Sequence, residues 1–585
     1  MTQKYLIKTK AIFVFLCMII LPLQAEISYN RKIGLLDLAS QLSGPSSIGD
    51  SSSRYTRGLR QKIPLDTIPY WSSQAYGTEI WGVALADITN DGYPEVITIY
   101  EQGYNYIYLN NQGVIESTPS WQSNDWDYHI WPAFGDYDSD GDLDMAVACY
   151  EWYGGKTKLY QNDNGTLSSD PAWTASLGGG TRCDWGDVDN DGDLDLAIAD
   201  VSYYPAVFYN TNGILESSPS WCGTDYFTDF DVAWLDVDND GDLDLAVGGL
   251  NFLEPTLRIY YNDSGTLETI ASWKSQITAG VCRGVGLSVW DVDQDGWLDV
   301  AVAAGYPDDS QCNRIFKNLQ DSLESYPSWF SNDSNVSVCG LFGDLNGDGC
   351  LDWAVNNKIF GVVYENLGDS IDTLFTWQST VSGGFGIDLG DVDQDGVIYR
   401  EDTIIADGGK RLFYLPIIPI HKLEEITING DSVPLNDYCC DLKSGWISFK
   451  NTISTGSEII FKYYHSVDLE LLLSDESSNK AHLFKNTNIG LVEQYPQHEK
   501  IGFSIYPNPI LAGVPAELVY SVTRPTIIEL DLYDCTGRKI ETIFKQKVDP
   551  GMWRKKIRTQ FLPGIYFLRL KSHYNNIFTK IVIIK

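Results

Sequence analysis

Residues 187–195 read DVDNDGDLD, and residues 236–244 repeat the same nine letters. Four more segments follow this template, which has Asp first, an acid, Asn or Thr third, Asp fifth, Gly sixth and an acid ninth. They lie at 87–95, 136–144, 291–299 and 344–352, and a seventh at 391–396 keeps the first six positions. Successive loops start 47 to 55 residues apart, and such a regular period is typical of a repeat architecture.

Other features keep the same phase as the acidic loops. A Trp precedes each loop by 14 to 18 residues, and an apolar segment such as 145–148 follows it. A Tyr/Phe-x-Asn segment such as 160–162 comes next. Four short strands in a unit of about 50 residues are typical of a propeller blade, whereas a linear solenoid would leave its edge strands open. The sequence therefore predicts an all-β fold with a seven-bladed β-propeller over residues 61–495.

The acidic loops have the composition of calcium-binding turns. Ca²⁺ prefers six to eight oxygen ligands, and alternating positions of a tight turn bring carboxylates around one point. The sixth-position glycine permits the sharp turn, and the varied seventh position suits a ligand that offers only its backbone carbonyl. The chain has a net charge of −38, and so many carboxylates packed together would repel one another without cations.

The seventh loop departs from the template. After Gly396 the sequence reads VIYRED, so Tyr399 falls at the ninth position, where Asp402 can ligate instead. Alternatively, Asp468-Leu469-Glu470 resumes the blade after an insertion, and 483–486 then supplies its Tyr/Phe-x-Asn strand. Alternating polar and apolar residues predict strands within a small inserted β-module at about residues 408–466.

An aromatic residue and a glycine precede several loops, as in Phe134-Gly135, Trp185-Gly186 and Phe342-Gly343. With the acidic loop and the apolar strand, this pattern resembles the FG-GAP/VCBS repeats, the calcium-binding blades of integrin α-chain-type propellers and of many bacterial surface proteins. The resemblance spans about residues 66–495. It implies about one Ca²⁺ per loop, up to seven, with ligands at the first, third, fifth and ninth positions.

The ligands implied by this resemblance can be named loop by loop. They are Asp87, Thr89, Asp91 and Glu95; Asp136, Asp138, Asp140 and Asp144; Asp187, Asp189, Asp191 and Asp195; Asp236, Asp238, Asp240 and Asp244; Asp291, Asp293, Asp295 and Asp299; Asp344, Asn346, Asp348 and Asp352; and Asp391, Asp393, Asp395 and Asp402. Thr89 stands where the other loops have an acid or Asn, which implies a weaker first site.

Both ends of the chain carry export signals. Residues 1–25 have a Lys-rich start, an apolar run at 11–21 and a small-residue exit, which predict a signal peptide. A linker rich in Ser and Gly follows at 26–60. No later stretch approaches about 20 continuous apolar residues, so we expect no transmembrane segment after signal removal.

Residues 501–585 form a domain of their own, in which the acidic loops stop and the charge turns basic. Their alternating segments predict an Ig-like β-sandwich. Tyr506-Pro507-Asn508-Pro509, Gly537-Arg538-Lys539 and Pro563-Gly564-Ile565-Tyr566, in this order, resemble the type A C-terminal sorting domain of the type IX secretion system. The resemblance implies passage through that machinery and a protein that is secreted or held on the outer cell surface.

These features restrict the function. The strong negative charge argues against nucleic acid and anionic membranes as partners. We expect a surface binding or adhesion protein with a glycan or protein ligand, not an enzyme. A calcium-dependent polysaccharide lyase and a structural matrix component stay open as alternatives. A lyase needs a base, and His129 is the single histidine in the six uninterrupted blades.

The repeated Trp residues are expected in the blade core or, less often, against sugar rings. The cysteine spacing shows no disulfide pattern.

Overall fold

The computed structural model describes residues 63–584 with several gaps. These are 151–153, 178–179, 201–203, 226–227, 250–256, 277–283, 306–309, 369, 407–408, 488–502, 507–509, 512–515, 523–525, 535–537, 549–550, 558–563 and 572–575. The predicted signal peptide and linker, at 1–25 and 26–60, lie outside the described residues.

Strand β1 (Trp71–Ser72) is followed by six four-stranded antiparallel sheets, one for each of the first six repeats. They are β2–β5 (Ile80–Ala86, Glu95–Tyr100, Tyr106–Tyr108, Trp121–Gln122), β6–β9 (His129–Gly135, Asp144–Cys149, Lys158–Tyr160, Trp173–Thr174), β10–β13 (Arg182–Gly186, Asp195–Ala199, Ala206–Phe208, Trp221–Cys222), β14–β17 (Asp229–Leu235, Asp244–Gly249, Leu257–Tyr260, Trp273–Lys274), β18–β21 (Gly284–Trp290, Asp299–Ala304, Arg314–Phe316, Trp329–Phe330) and β22–β25 (Ser337–Gly343, Asp352–Asn357, Gly361–Tyr364, Trp377–Gln378). Each acidic loop joins the first strand of its sheet to the second.

The seventh sheet closes the ring with strands from both ends of the propeller. Its strands β26 (Ile387–Gly390), β34 (Glu470–Asp475) and β35 (Lys480–Phe484) are completed by β1, in which Trp71 lies opposite Leu483. The first strand of each sheet packs against the first strand of the next, and β26 packs against β2. The prediction of an all-β propeller is therefore confirmed, and strands from the start and the end of the propeller are joined within one sheet.

The blade sheets are buried on both faces, which explains their composition. The second strands, such as β7 and β15, are short apolar runs with every residue buried. A sheet covered on both faces needs continuous hydrophobic runs instead of strict alternation, and β-branched and small residues pack well there.

The seven phased Trp residues connect neighbouring blades. Each indole N–H donates to a backbone carbonyl of the next sheet at 2.8 to 3.2 Å, and each ring packs edge-on against a Tyr or Phe of that sheet's third strand. The donors are Trp71, Trp121, Trp173, Trp221, Trp273, Trp329 and Trp377. These side chains therefore hold neighbouring blades together; Trp221, Trp329 and Trp377 are buried, and the other four are partly buried.

We expect Trp221→Ala to destabilise the propeller by about 3–5 kcal/mol. Trp221 is buried, packs against Tyr260 and donates to the carbonyl of Leu267 at 3.2 Å, so its loss opens a cavity between two blades. Urea unfolding followed by fluorescence measures the effect. Trp126→Ala is the control because this Trp is 53% exposed, and an equal loss in both variants would contradict the role of the blade contact.

The insertion forms two small sheets. Its strands are β27 (Val397–Ile405), β28 (Leu412–Tyr414), β29 (Ile420–Ile428), β30 (Asp431–Ser432), β31 (Tyr438–Asp441), β32 (Trp446–Phe449) and β33 (Glu458–Ser466), with a 3-10 helix at Leu435–Asp437. One sheet has the order β27-β33-β29-β30 and the other β28-β32-β31. The insertion thus begins at Val397 and not near 408, because β27 pairs with β33 along its whole length.

The C-terminal residues form two further sheets. The strands are β36 (Phe503–Tyr506), β37 (Ile510–Leu511), β38 (Ala516–Val522), β39 (Thr526–Asp534), β40 (Lys539–Val548), β41 (Gly551–Ile557), β42 (Gly564–Lys571) and β43 (Asn576–Ile584). One sheet is β36-β38-β41 and the other β37-β43-β42-β39-β40. Leu518 of the first and Leu530 and Leu568 of the second share one buried core. The Ig-like assignment stays a prediction.

Among the described residues, no helix reaches the length and hydropathy that crossing a membrane requires.

Candidate metal centres

The acidic loops share one backbone conformation. The fourth residue is left-handed in every loop, with φ between 56° and 63° in six of them and 74° at Gly347 in the sixth. The sixth-position glycine has φ between 86° and 99° in the first six loops. Such values are strained for residues with a Cβ, which explains the glycine at the sixth position. At the fourth position Asn tolerates them best, and Ser or Gln adopts them in loops two, five and seven.

The first-position Asp closes each turn on itself. In the second loop, Asp136 accepts the N–H of Asp140 on one carboxylate oxygen and that of Gly141 on the other, both at 3.0 Å. Loops one, four, five and six repeat both contacts. The fifth-position Asp of loops one to six accepts the N–H of the seventh residue. The backbone therefore fixes both carboxylates before any ion binds.

The ninth-position acid joins the loop to its own sheet. Asp144 accepts the N–H of Tyr137 at 3.2 Å and that of Asn162 at 2.7 Å. The side-chain amide of Asn162 then donates to the carbonyls of Leu143 and of Ile88 in the preceding loop. The corresponding residues in the other sheets are Asn110, Asn210, Asn262, Asn318, Asn366 and Asn486.

This Asn was not predicted as a site residue, although it recurs at the same place in each repeat. It connects each loop to the loop before it, so the acidic loops form one continuous hydrogen-bonded band around the ring.

Three acidic side chains converge in five of the loops. Their carboxylate oxygens lie within 4.8 Å of one another in Asp136/Asp138/Asp144, Asp187/Asp189/Asp195, Asp236/Asp238/Asp244, Asp291/Asp293/Asp295 and Asp391/Asp393/Glu470. In loop one, the hydroxyl of Thr89 instead donates to Glu95 at 3.4 Å. In loop six, the side-chain oxygen of Asn346 accepts the N–H of Asp348 at 2.9 Å.

Several oxygens of these groups are buried without a hydrogen-bond partner. They are one oxygen each of Asp138, Asp187, Asp238, Asp293, Asp391 and Asp393. A buried charged oxygen without a partner is costly, and a hard divalent cation satisfies several at once. The donor set, carboxylates with an amide or hydroxyl, therefore fits Ca²⁺, and Asp, Glu, Asn and Thr oxygens at the positions above would hold it.

Burial raises the pKa values of these carboxyls, and neighbouring acids raise them further. The pKa of Asp136 is raised to about 6, that of Asp144 to about 8 and that of Asp244 to about 9. A charged carboxylate is disfavoured away from water, and a bound cation reverses that preference.

The seventh cluster contains Glu470 and not Asp402. Asp402 lies in β27, where the guanidinium of Arg400 donates to it at 2.7 Å and the hydroxyl of Tyr463 at 2.5 Å. Because β27 runs away along the insertion, Asp402 is removed from the loop that precedes it in sequence. Of the two alternatives that the sequence left open, the structure brings Glu470 to Asp391 and Asp393.

The acidic loops lie on one face of the propeller, the loop face, and the insertion covers part of it. Ser448 donates to Asp187 at 2.7 Å, and the ammonium of Lys450 lies 3.4 Å from Asp193, both in loop three. The hydroxyl of Tyr414 accepts the N–H of Asp236 in loop four at 3.2 Å. A cleft of about 570 Å³ remains between the insertion and loops one, two and seven.

The histidine of the six uninterrupted blades and several of the cysteines are buried. His129 is fully buried, and its Nε2 lies 3.1 Å from Asp125. Eight described cysteines carry free thiols: Cys149, Cys183, Cys222, Cys312, Cys339, Cys350, Cys439 and Cys440. Burial raises the pKa values of the thiols of Cys149 and Cys183, which opposes a nucleophilic role.

Two protein-family models match this chain. Residues 87–147, 136–198, 187–247 and 291–355 match the FG-GAP-like repeat, and residues 504–585 match the secretion system C-terminal sorting domain. The chain therefore carries FG-GAP-like repeats and a type IX sorting domain, which directs it to the cell surface or to secretion. No curated protein matches the chain.

Two solved structures show a distant likeness. The Dos1 propeller is 9% identical, with 73% of this chain and 97% of that chain covered and a TM-score of 0.37. The biofilm matrix protein Bap1 of V. cholerae is 14% identical, with 89% of this chain and 86% of that chain covered and a TM-score of 0.30.

Proposed function

We propose that this exported propeller binds calcium in its acidic loops and acts as a binding or adhesion protein outside the cell, with a glycan or protein ligand. The buried carboxylate oxygens without partners support the calcium part of this proposal. The insertion supports the binding part, because it packs on the loop face and has one sheet face exposed. The seven phased Trp residues donate hydrogen bonds between blades, so we look for the ligand surface first on the insertion. A lyase and a matrix component are the alternative functions, and the retention experiment tests both.

The exposed face of the insertion carries a pair of aromatic rings beside charged groups. Tyr399 of β27 lies opposite Tyr464 of β33, and their ring centroids are 5.4 Å apart. Tyr399 is 47% exposed. Beside the rings, the ammonium of Lys462 lies 2.6 Å from Glu425. Rings cover the apolar face of a pyranose, and neighbouring polar groups bond its hydroxyls, so this face favours a glycan ligand.

The opposite face of the same sheet explains why the rings are held in place. The side chains of Ile459, Phe461 and Tyr463 alternate with Lys462 and Tyr464 along β33 and are fully buried in the core of the insertion. A strand with one face packed and one face open fixes the direction of its exposed side chains. The aromatic pair is therefore rigidly mounted.

Retention on a panel of polysaccharides tests the function. The mature protein is incubated with each polymer in calcium, and retention is read together with the ultraviolet absorbance of newly formed unsaturated uronate. Retention without absorbance supports a glycan-binding protein. Growing absorbance would replace this function by that of a lyase, and neither signal would point to a protein ligand or a matrix role.

We expect the double substitution Tyr399→Ala and Tyr464→Ala to weaken glycan retention about 5- to 150-fold, since each aromatic contact is worth about 0.5–1.5 kcal/mol. The matched control is Tyr326→Ala with Phe330→Ala, a second aromatic pair with centroids 6.0 Å apart and Tyr326 54% exposed. Affinity electrophoresis measures both. Equal weakening by the control pair, or none by the first, would contradict the assignment of this face.

A further inference from the structure

The first strand of each blade contributes one equivalent residue to a cavity of about 200 Å³. This residue lies two positions before the one that pairs with the ninth-position acid of its loop. The seven are Ala84, Ala133, Asp184, Ala233, Ser288, Leu341 and Asp388. Because all seven blades supply it, the cavity lies on the axis of the propeller, and we call it the axial cavity. The three Ala side chains are small and leave this space open.

The axial cavity is closed on the side away from the acidic loops. One buried cluster contains Trp81, Ile130, Phe230, Val338 and Phe385, which lie at or next to the start of the first strand in five different blades. The rings of Trp81 and Phe385 stack with their centroids 4.0 Å apart. Since each acidic loop follows the end of its first strand, the starts of these strands lie at the opposite face. A ligand must therefore enter the cavity from the loop face.

On the loop face, the insertion forms one wall of the axial cavity. The turn that follows β31 brings Asp441, Lys443 and Ser444 to the cavity, and the ammonium of Lys443 lies 2.7 Å from Asp388. The same turn borders the cleft of about 570 Å³ between the insertion and loops one, two and seven. The residues common to the cavity and the cleft are Phe134, Leu389, Pro419, Asp441 and Lys443. The two spaces therefore adjoin, and the cleft is the way in from solvent.

Arg182 offers hydrogen-bond donors to the axial cavity. It is 7% exposed and lines the cavity, and its guanidinium lies 3.5 Å from the ring centre of Trp131. Asp231 is the one described carboxylate within 4.0 Å of the guanidinium, at 3.9 Å, and both of its oxygens already accept backbone N–H groups. The thiol of Cys339 also lies beside Arg182, but sulfur is a weak acceptor. Donors of Arg182 are therefore left for a ligand that brings oxygen acceptors.

The charges around the axial cavity favour a neutral ligand. Four acids and two bases line it, and each base lies beside an acid. Burial and the charges of Asp441 and Asp231 raise the pKa of Asp184 well above its ordinary value, so these surroundings disfavour a further negative charge. A cationic group could not accept the donors of Arg182. Hydroxyl groups fit both, because they donate to carboxyl oxygens and accept from a guanidinium.

The size and the walls of the cavity suit one sugar ring. A cavity of about 150 Å³ holds one benzene ring, so about 200 Å³ accommodates a six-membered ring with hydroxyl substituents. Phe134, Trp234 and Phe342 are among its lining residues, and aromatic side chains pack on the apolar face of a pyranose. Since the cavity is closed at its far end, the ring inside it must be the last unit of a chain.

We propose that the axial cavity binds the terminal neutral hexose of a glycan, with the neighbouring units of the chain in the cleft under the insertion. Arg182 donates to a hydroxyl oxygen of this hexose, and the carboxyl groups of Asp184 and Asp441 accept from its hydroxyls. The inference rests on the glycan binding proposed above and names the kind of sugar. A terminal uronate, with its additional negative charge, does not fit the cavity.

Saturation-transfer NMR titrations of the mature protein in CaCl₂ test the inference, with D-glucose, D-galactose, D-mannose and the uronate of each as probes. We expect at least one hexose to bind and its uronate to bind at least about 10-fold more weakly. Arg182→Gln should weaken hexose binding about 10-fold or more, because a hydrogen bond from a charged group is lost. Arg314→Gln is the matched control, since Arg314 is 6% exposed but does not line the cavity, and it should leave hexose binding unchanged.

A second variant, Ala133→Leu, tests the cavity without removing a charge. Its longer side chain occupies part of the space, so we expect it to remove hexose binding while the thermal midpoint stays that of the wild type. Hexose binding should survive the double substitution of Tyr399 and Tyr464, which lie outside the cavity.

Three results would overturn the inference: equal weakening by the two Arg variants, tighter binding of a uronate than of its hexose, or no binding of any hexose by the wild-type protein. In the last case, retention of polysaccharides through Tyr399 and Tyr464 can still be observed. The failure of this inference is therefore distinguishable from the failure of the proposed function.

Discussion

Stripping calcium from the mature protein is expected to lower its thermal midpoint by about 15 °C or more. Each ion adds about 2.7 kcal/mol when free calcium exceeds its Kd 100-fold, and the loops are joined around the ring through the Asn side chains, so the losses act on one cooperative unit. Differential scanning fluorimetry with EGTA and after readdition of CaCl₂ measures the change. An unchanged midpoint after exhaustive chelation would contradict calcium stabilisation.

The thermal midpoint should also depend on pH, and the sign of this dependence should differ between the calcium-free and the calcium-bound protein. Burial raises the pKa of Asp136 to about 6, of Asp144 to about 8 and of Asp244 to about 9, from 3.8 in the unfolded chain. Their contribution to folding without calcium is therefore full below about pH 4 and is lost as the pH rises through 6 to 9.

The chelated protein should accordingly melt higher at pH 5 than at pH 8. With calcium the order reverses, since ligation requires the deprotonated carboxylates and protons compete with the ion. Parallel melts at the two pH values, of protein stripped with EGTA at pH 8 and exchanged into calcium-free buffer and of protein in CaCl₂, measure both signs. The same order in both states would show that these carboxyls do not meet a cation.

A second effect of calcium is expected for Asp244→Asn, which removes the ninth-position charge of loop four. Asp244 lies in the group with Asp236 and Asp238, and it accepts the N–H of Asn262 at 2.8 Å. We expect a loss of about 3 kcal/mol in calcium, the value of one ion at 100-fold excess over Kd. In EGTA at pH 8 we expect little loss, because burial already favours the neutral form of this carboxyl.

Urea unfolding in CaCl₂ and in EGTA measures the two differences. Asp170→Asn is the control, because Asp170 is an exposed acid outside the loops. An equal effect of Asp244→Asn in both buffers would mean that the carboxylate acts only through its hydrogen bonds.

The repeating parts of the structure could be predicted from the sequence because the same residue pattern recurs in seven repeats. The phase of the acidic loops located each turn between the first and second strands, and the confirmed propeller followed from four short strands per repeat. The left-handed fourth residue and the sixth-position glycine are local requirements of each turn. Local chemistry of this kind is visible in a single sequence.

Contacts between segments that are distant along the chain could not be predicted from the sequence. Strand β1 has two residues, Trp71 and Ser72, too few for a strand pattern. The phase of Trp71 was the available signal, but its pairing with β35 was not predicted. Glu470 lies far beyond Asp391 in the chain, and the sequence left open the nearer Asp402, which stands at the twelfth position of the loop. Only the pairing of β27 with β33 shows that the loop resumes at Asp468.

The calcium content of the mature protein tests the central claim most directly. Native mass spectrometry after equilibration in CaCl₂ and buffer exchange counts the ions on each chain. The loop geometry predicts about one ion per loop and up to seven in all, with the Thr89-containing first loop the weakest. A chain that retains no calcium would contradict the account, because the buried, unpartnered carboxylate oxygens would then serve no ion.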